Sequence, residues 1–329
     1  MSRRRLYELF GSILGGLFLI VMSVLPASAA TTPTSVGSGL KISPVVTNLT
    51  VDAGQTQDVI VYVQNVTSAT ITVQALVNDF TDNNNETGTP DLLLNNQFAP
   101  THSLKRFVAP IGNVTLLPGQ QKSVTVEINI PSGNSGGGYY GAIRFVPVST
   151  NSGGTVSLTA SLASLILVKV PGTYKESVDL LSFDAENSGG SSVLFTSNKS
   201  LVAAARFQNT GAVQEQPFGK VLLESGNKVL ASYEINNTNP RGNVLPNSIR
   251  KFTVNLNKVG AFGQFTLIGN FGYGTNGQLL SAKTTFYVIP YPIIGLIILI
   301  ILIILFLIVA IPRWIRGHDQ RVIQRTPRR

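Results

Sequence analysis

The sequence predicts an all-β chain, a pair of β-sandwiches followed by one transmembrane helix. Three observations predict it. Short runs alternate apolar and polar residues, the period of a half-buried strand. Clusters of Gly, Pro, Asn and Asp separate those runs. Near the C-terminus, Ile293–Ile311 is 19 residues long and uncharged. The chain has 329 residues, enough for about two domains at roughly 150 residues each.

Residues 1–30 read as a secretory signal. Arg3–Arg5 form its basic start, Phe10 to Leu25 its apolar stretch, and Ala27-Ser28-Ala29 a small-x-small cleavage pattern. The strand runs follow. In 58–64 Val59, Val61 and Val63 share one face. In 123–130 Val124, Val126, Ile128 and Ile130 share one face, with Thr125, Glu127 and Asn129 on the other. In 139–146 Ile143 and Phe145 fall on one side and Tyr140 and Arg144 on the opposite, polar side. Further runs lie at 70–77, 155–170, 201–208, 220–224, 251–256, 264–268 and 284–289. Many short strands with turn signals place the region in the sandwich or barrel class.

Two short repeats support a pair of sandwiches. Leu49–Gln55 precedes one alternating run as Leu116–Gln121 precedes another, and each carries a glycine turn. Gln64-Asn65-Val66-Thr67 and Gln208-Asn209-Thr210-Gly211 each end a strand in a polar turn. The boundary is placed near Pro171-Gly172, giving a first sandwich at 31–172 and a second at 173–289. Pro290 and Pro292 mark the break before the span, set at 290–312. As a helix the 19-residue core is about 28 Å long, matching a hydrocarbon core about 30 Å thick. Tyr291 and Trp314 suit the two interfaces. Arg313 and Arg316 place the tail, 313–329, in the cytoplasm, a type I topology with the sandwiches outside.

Composition excludes several chemistries. The chain holds 25 Lys+Arg against 16 Asp+Glu, a formal +9, with no Cys and two His. Without Cys there is no disulfide framework, thiolate nucleophile or Cys-ligated metal site. The basic surplus sits at the ends, in Arg3–Arg5 and in the six arginines of the tail, so it is not a nucleic-acid signature. No catalytic set, metal site or cofactor is expected, and the chain reads as a non-enzyme. Asp82–Gly88 is oxygen-rich, but its sixth position is Thr87 and its twelfth Leu93, unlike a calcium loop; a solvated loop is the plainer reading. Gly136-Gly137-Gly138 lacks a following Lys-Ser/Thr and reads as a hairpin connection. His102 reads as a loop residue. Asp79, Asp82 and Glu86 have no fixed separation that would make a hydrolytic pair. Tyr140 and Arg144, together on the polar face of their strand, are the candidate ligand-binding residues, suited to stack on and hydrogen-bond a sugar. The alternative is that Arg144 pairs with Glu127 on a neighbouring strand while Tyr140 covers the sheet edge.

The order of several landmarks carries a resemblance. They are Ile42-Ser43-Pro44, Leu117-Pro118-Gly119-Gln120 with Val124-Thr125-Val126, Ile130-Pro131, Gly138–Phe145, Gln208–Gly211, Pro217-Phe218-Gly219, Val244–Arg250, Gly263-Gln264-Phe265, Tyr273-Gly274 and Phe286–Pro290. The chain resembles the WxL-interacting protein family of bacterial cell-surface proteins. That resemblance implies immunoglobulin-like sandwiches, the first binding peptidoglycan and the second a surface or host protein. It supplies no residue-level motif. The expected function is a membrane-anchored adaptor that tethers a partner to the cell wall. The alternative is an extracytoplasmic assembly or structural subunit of a membrane complex without glycan binding.

Overall fold

The computed structural model describes residues 39–148 and 161–323, with side chains through Arg313. The signal sequence expected at 1–30 and the end of the tail lie outside the described residues.

The strands of the first half are β1 (Leu40–Ser43), β2 (Val46–Thr50), β3 (Thr56–Asn65), β4 (Ile71–Asp82), β5 (Pro90–Leu92), β6 (Asn113–Leu116), β7 (Gln121–Asn129), β8 (Gly137–Pro147) and β9 (Leu162–Val170). They form two sheets. One is β1-β3-β7, antiparallel throughout. The other runs β2-β9-β8-β4-β5, with β6 also on β4 and with β2 parallel to β9. Consecutive strands β1 and β2 lie in different sheets, so the chain crosses the sandwich at Pro44 and Val45. Between the sheets pack Val61, Val63, Val126, Ile128, Ile143, Phe145, Ile166 and Val168. These are the inward residues that the alternation predicts.

The second half has β10 (Val178–Asn187), β11 (Gly190–Ser191), β12 (Leu194–Phe195), β13 (Val202–Asn209), β14 (Phe218–Ser225), β15 (Lys228–Ile235), β16 (Ile249–Asn255), β17 (Gly263–Tyr273) and β18 (Gln278–Val288). Its sheets are β11-β10-β13-β16 and β12-β18-β17-β14-β15. Here the core is aromatic. Phe207 meets Phe271 edge-on at 5.1 Å between ring centres, and Phe195 meets Phe286 at 5.7 Å. Such pairs add about 0.5–1.5 kcal/mol beyond the area they bury. The two cores share no residue. Both halves are immunoglobulin-like β-sandwiches.

The internal repeat goes deeper than the sequence suggests. Asn65 and Asn209 are fully buried at the ends of β3 and β13. Each donates through Nδ2 to the carbonyl four residues on, Ala69 or Val213, at 2.6 and 2.7 Å. Each donates again to a carbonyl distant in sequence, of Leu116 in the facing sheet or of Val244, at 3.2 and 2.8 Å. Each accepts through Oδ1 from the amide two residues on, at 2.9 and 2.8 Å. The turns they brace also match. Gln120 donates its N–H to Leu117, and Ser248 to Leu245; the left-handed position between is Gly119 in one and Asn247 in the other. One satisfied buried amide thus fixes the same corner twice.

Two expectations are corrected. Gly136–Gly138 is not a hairpin connection: β7 and β8 belong to different sheets, the stretch from Ile130 to Gly136 crosses the sandwich, and Gly137 and Gly138 open β8. Arg144 does not pair with Glu127, which lies opposite Asp58 in the other sheet; its Nε donates to Asn78 Oδ1 at 3.2 Å.

The C-terminal helix α1 covers Tyr291–Ile323. Its segment Tyr291–Arg313 has a mean hydropathy of 3.8 and is long and apolar enough to cross a membrane; none of its most apolar window is buried in the protein.

Candidate functional site at the junction of the sandwiches

The two faces of β8 explain where the site lies. Tyr139, Ile143 and Phe145 turn inward to the first core. Tyr140 and Ala142 turn outward, but not to water. With Phe80 and Leu167 they form a small second core, against which Val46, Leu92, Leu165 and, from the second sandwich, Leu245 pack. Tyr140 is only 3% exposed. Its hydroxyl donates to Gln214 Oε1 of the second sandwich at 3.2 Å, and its ring lies 6.0 Å from Phe80 and 5.6 Å from His102. Burial pushes its hydroxyl pKa well above the ordinary tyrosine value. Tyr140 and Arg144 therefore do not form an open sugar platform. The face that the alternation marks as polar is the joint between the sandwiches.

His102, in the loop before the short 3-10 helix Lys105–Phe107, lies 2.7 Å through Nδ1 from the Gly138 carbonyl. A carbonyl only accepts, so Nδ1 carries the proton. Asp79 is fully buried; its two oxygens accept N–H groups of Ala99 and Lys105, both at 2.9 Å, which fixes the same loop.

The Asn-rich loop is solvated along Asn84, Asn85 and Thr87, as expected, and it is also a docking element. Asn84, Asn85 and Thr87 are held by side-chain turns within it. These present Glu86 to Arg206 on β13. Arg206 Nε donates to Glu86 Oε2 at 2.7 Å, and its second nitrogen reaches Oε1. The Glu86 carbonyl also accepts the Lys251 N–H at 2.8 Å, so the loop caps the β16 edge. The paired Arg206 holds the Glu86 carboxyl below its ordinary value. Among the described residues no group of acidic and His side chains could hold a metal ion.

A second polar joint lies around the linker. Lys169 on β9 donates to Glu176 at 2.8 Å. Thr275 donates to the same carboxylate through its N–H at 2.6 Å and its hydroxyl at 2.7 Å. Burial pushes the Glu176 carboxyl up, but these donors outweigh it and hold the carboxyl below its usual value. Beside it, Glu215 is 3% exposed. Its Oε2 accepts the Gly274 N–H at 3.0 Å, and its Oε1 has no partner. Burial, with the Glu176 charge adding to it, raises its pKa to about 7.

The two larger cavities along the joint differ in character; a third, of about 120 Å³, lies under the Glu86 loop. One, of about 270 Å³, lies between Phe80, Leu165 and Leu167 on one side and Arg241, Leu245 and Arg250 on the other. The second, of about 450 Å³, is more polar and is lined by Asn48, Lys169, Glu215, Asn243 and Tyr273 among others. Neither was visible in the sequence, because each is built from segments far apart in the chain. The one available signal was the run Val244–Arg250, noted only as a landmark.

Residues 47–146 match the family model described as WxL Interacting Protein, peptidoglycan binding domain, so the resemblance read from the sequence is borne out over most of the first sandwich. No curated protein matches the chain. Among solved structures, the class 5 fimbriae chaperone CfaA is similar at 13% identity over 76% of this chain and 99% of its own, with a TM-score of 0.36. The E. coli chaperone DraB is similar at 14% identity over 75% and 96%, with a TM-score of 0.33. A protein of unknown function from Porphyromonas gingivalis W83 is similar at 12% identity over 76% and 100%, with a TM-score of 0.30. At these scores none of them bears on what the chain does.

Proposed function

We propose that this chain is a non-enzymatic adaptor, anchored in the cell membrane by α1, that holds peptidoglycan with its first sandwich and a surface or host protein with its second. The observation that carries the reading is the match of residues 47–146 to a peptidoglycan-binding domain, in a chain that ends in a helix able to span a membrane. The mechanism is bivalent tethering. A membrane anchor holds the sandwiches at the wall, so weak contacts gain effective concentration. The topology is type I, with both sandwiches on the wall side. For the protein partner, the second sandwich offers a shallow apolar depression beside Phe218 and Leu222, with Leu279 79% exposed. Tyr140 acts in this scheme as a positioning residue that joins the sandwiches, and Arg144 as a brace on β4.

The test is co-sedimentation of the detergent-solubilised full chain with insoluble peptidoglycan. The chain is expected in the pellet, and the wall is expected to stay insoluble. A chain that stays in the supernatant rules out the wall contact, and release of soluble wall fragments rules out the non-enzymatic reading.

A further inference from the structure

The junction cavity of about 270 Å³ has an unusual charge balance. Three titratable side chains line it: Asp82, Arg241 and Arg250. Asp82 is engaged by the Asn84 N–H at 3.0 Å. Neither arginine is paired with a carboxylate among the described residues. Arg250 donates one hydrogen bond, to the Asn243 carbonyl at 2.8 Å, and lies over the Phe252 ring at 4.9 Å. Arg241 lies over the Phe218 ring at 3.7 Å. A guanidinium carries five N–H donors in a fork that fits a carboxylate, so most of this donor capacity is unspent. The pair leaves an excess of one positive charge on a wall that mixes apolar residues with Thr89, Thr238, Asn243 and Ser248.

Arg250 is also held in place. Gly88 of the first sandwich and Gly242 of the second flank its guanidinium. A Cβ at Gly88 would come 2.3 Å from the guanidinium carbon, and one at Gly242 3.0 Å from it. At about 270 Å³ the cavity lies near the lower end of the roughly 300–1,000 Å³ range of ligand pockets. That admits the small residues at the end of a peptide, not a run of glycan. Val46, Phe80, Leu165 and Leu167 supply contact for short apolar side chains.

We infer that this cavity binds a peptide ending in a free carboxylate, with Arg241 and Arg250 taking the carboxylate and the β9 wall taking the apolar residues before it. The inference rests on the peptidoglycan reading, because stem peptides are the part of that polymer with this chemistry.

The probe is N-acetyl-D-alanyl-D-alanine, as free acid and as C-terminal amide, titrated into the detergent-solubilised full chain by calorimetry. The free acid is expected to bind at least about tenfold tighter than the amide, the scale of one charge-assisted hydrogen bond. Arg241→Gln is expected to remove that preference. Arg250→Lys keeps the charge but loses the fork, and Gly242→Ala displaces the guanidinium without changing its charge; both are expected to weaken binding. Because Arg250 also packs between the sandwiches, Arg241→Gln decides the matter if the other variants unfold at lower temperature. Equal binding of acid and amide, or an Arg241→Gln chain that binds like wild type, overturns the inference. Wall co-sedimentation is run in parallel. Wall binding without peptide binding overturns the cavity alone. Acid-selective peptide binding without wall binding upholds the carboxylate site and overturns the stem-peptide source. Loss of both overturns both.

Discussion

The two sheets of the first sandwich have the same length scale and the same residue types, yet they live in different environments. In β3 and β7 every second side chain is buried, and the residues between, from Asp58 to Gln64 and from Gln121 to Glu127, largely face water. In β8 and β9 both faces are covered, one by the sandwich's own core and the other by the second sandwich. The pairs β3/β7 and β8/β9 are both antiparallel. What separates them is whether a neighbour covers the outer face. Alternation reports the inward face faithfully, but it does not distinguish a wet outer face from one that packs on another domain.

The sharpest way to break this comparison is to remove the same residue type from each sheet. Tyr140→Ala empties a filled site between domains and leaves Gln214 without its donor. A loss of about 3–5 kcal/mol is expected, the range for deleting a buried aromatic. Thermal or denaturant unfolding of the full chain measures it. Arg144→Ala, on the same strand, removes one hydrogen bond and should cost about 1 kcal/mol. If Tyr140→Ala leaves stability unchanged, β8 faces water and the contrast between the sheets fails.

The dry side should also carry a pH signature. The folded state holds the Glu215 proton up to about pH 7, against an ordinary carboxyl value of 4.5. Between those values the folded protein binds more protons than the unfolded chain, so stability falls as pH rises and levels off above about 7. The full effect is at most about 3 kcal/mol. Glu86 and Glu176 act oppositely: their lowered values give stability that is present above 4.5 and lost as pH falls further. The unfolding midpoint should therefore be higher in mildly acidic buffer than above neutrality. Glu215→Gln should flatten the slope between the two and raise the midpoint on the alkaline side. A slope that survives this substitution would assign it to another group.

Much of the architecture was legible because it depends on local pattern. Val124, Val126 and Ile128 announce β7, and the apolar stretch from Ile293 announces α1. The Asn65 and Asn209 turns were visible as a repeat, although not their shared hydrogen bonds, which need Leu116 and Val244 from distant segments. The site was poorly legible for the same physical reason. Glu86 meets Arg206, and Gly88 meets Arg250, across sequence separations that no periodicity encodes. Loop 82–88 looked like a solvated, oxygen-rich turn because its composition is that of one; only the fold brings a cationic strand against it.

The Glu86–Arg206 pair tests how far that loop holds the joint. Both side chains keep partial contact with water, so the pair should be worth about 1 kcal/mol despite its two-point geometry. Glu86→Gln and Arg206→Gln, taken singly and together, should give a coupling of that size in a double-mutant cycle. The backbone bond from Lys251 to Glu86 would remain in each variant. Coupling near zero would make the loop a passenger and leave the buried Tyr140 cluster as the joint.

The smallest stability effect is expected on the wet side. Tyr62 is 42% exposed on β3, opposite Ser43 on one neighbour and Ser123 on the other. Its removal opens no cavity, so Tyr62→Ala should shift stability by no more than about 0.5 kcal/mol. Its use lies in binding. If the stem-peptide end is held at the joint, this variant should sediment with peptidoglycan as wild type does, while Arg241→Gln sediments less. If Tyr62→Ala is the variant that stays in the supernatant, the wall contact belongs to the open sheet. The open sheet would then be the working face of the first sandwich, and the covered sheet only its means of attachment.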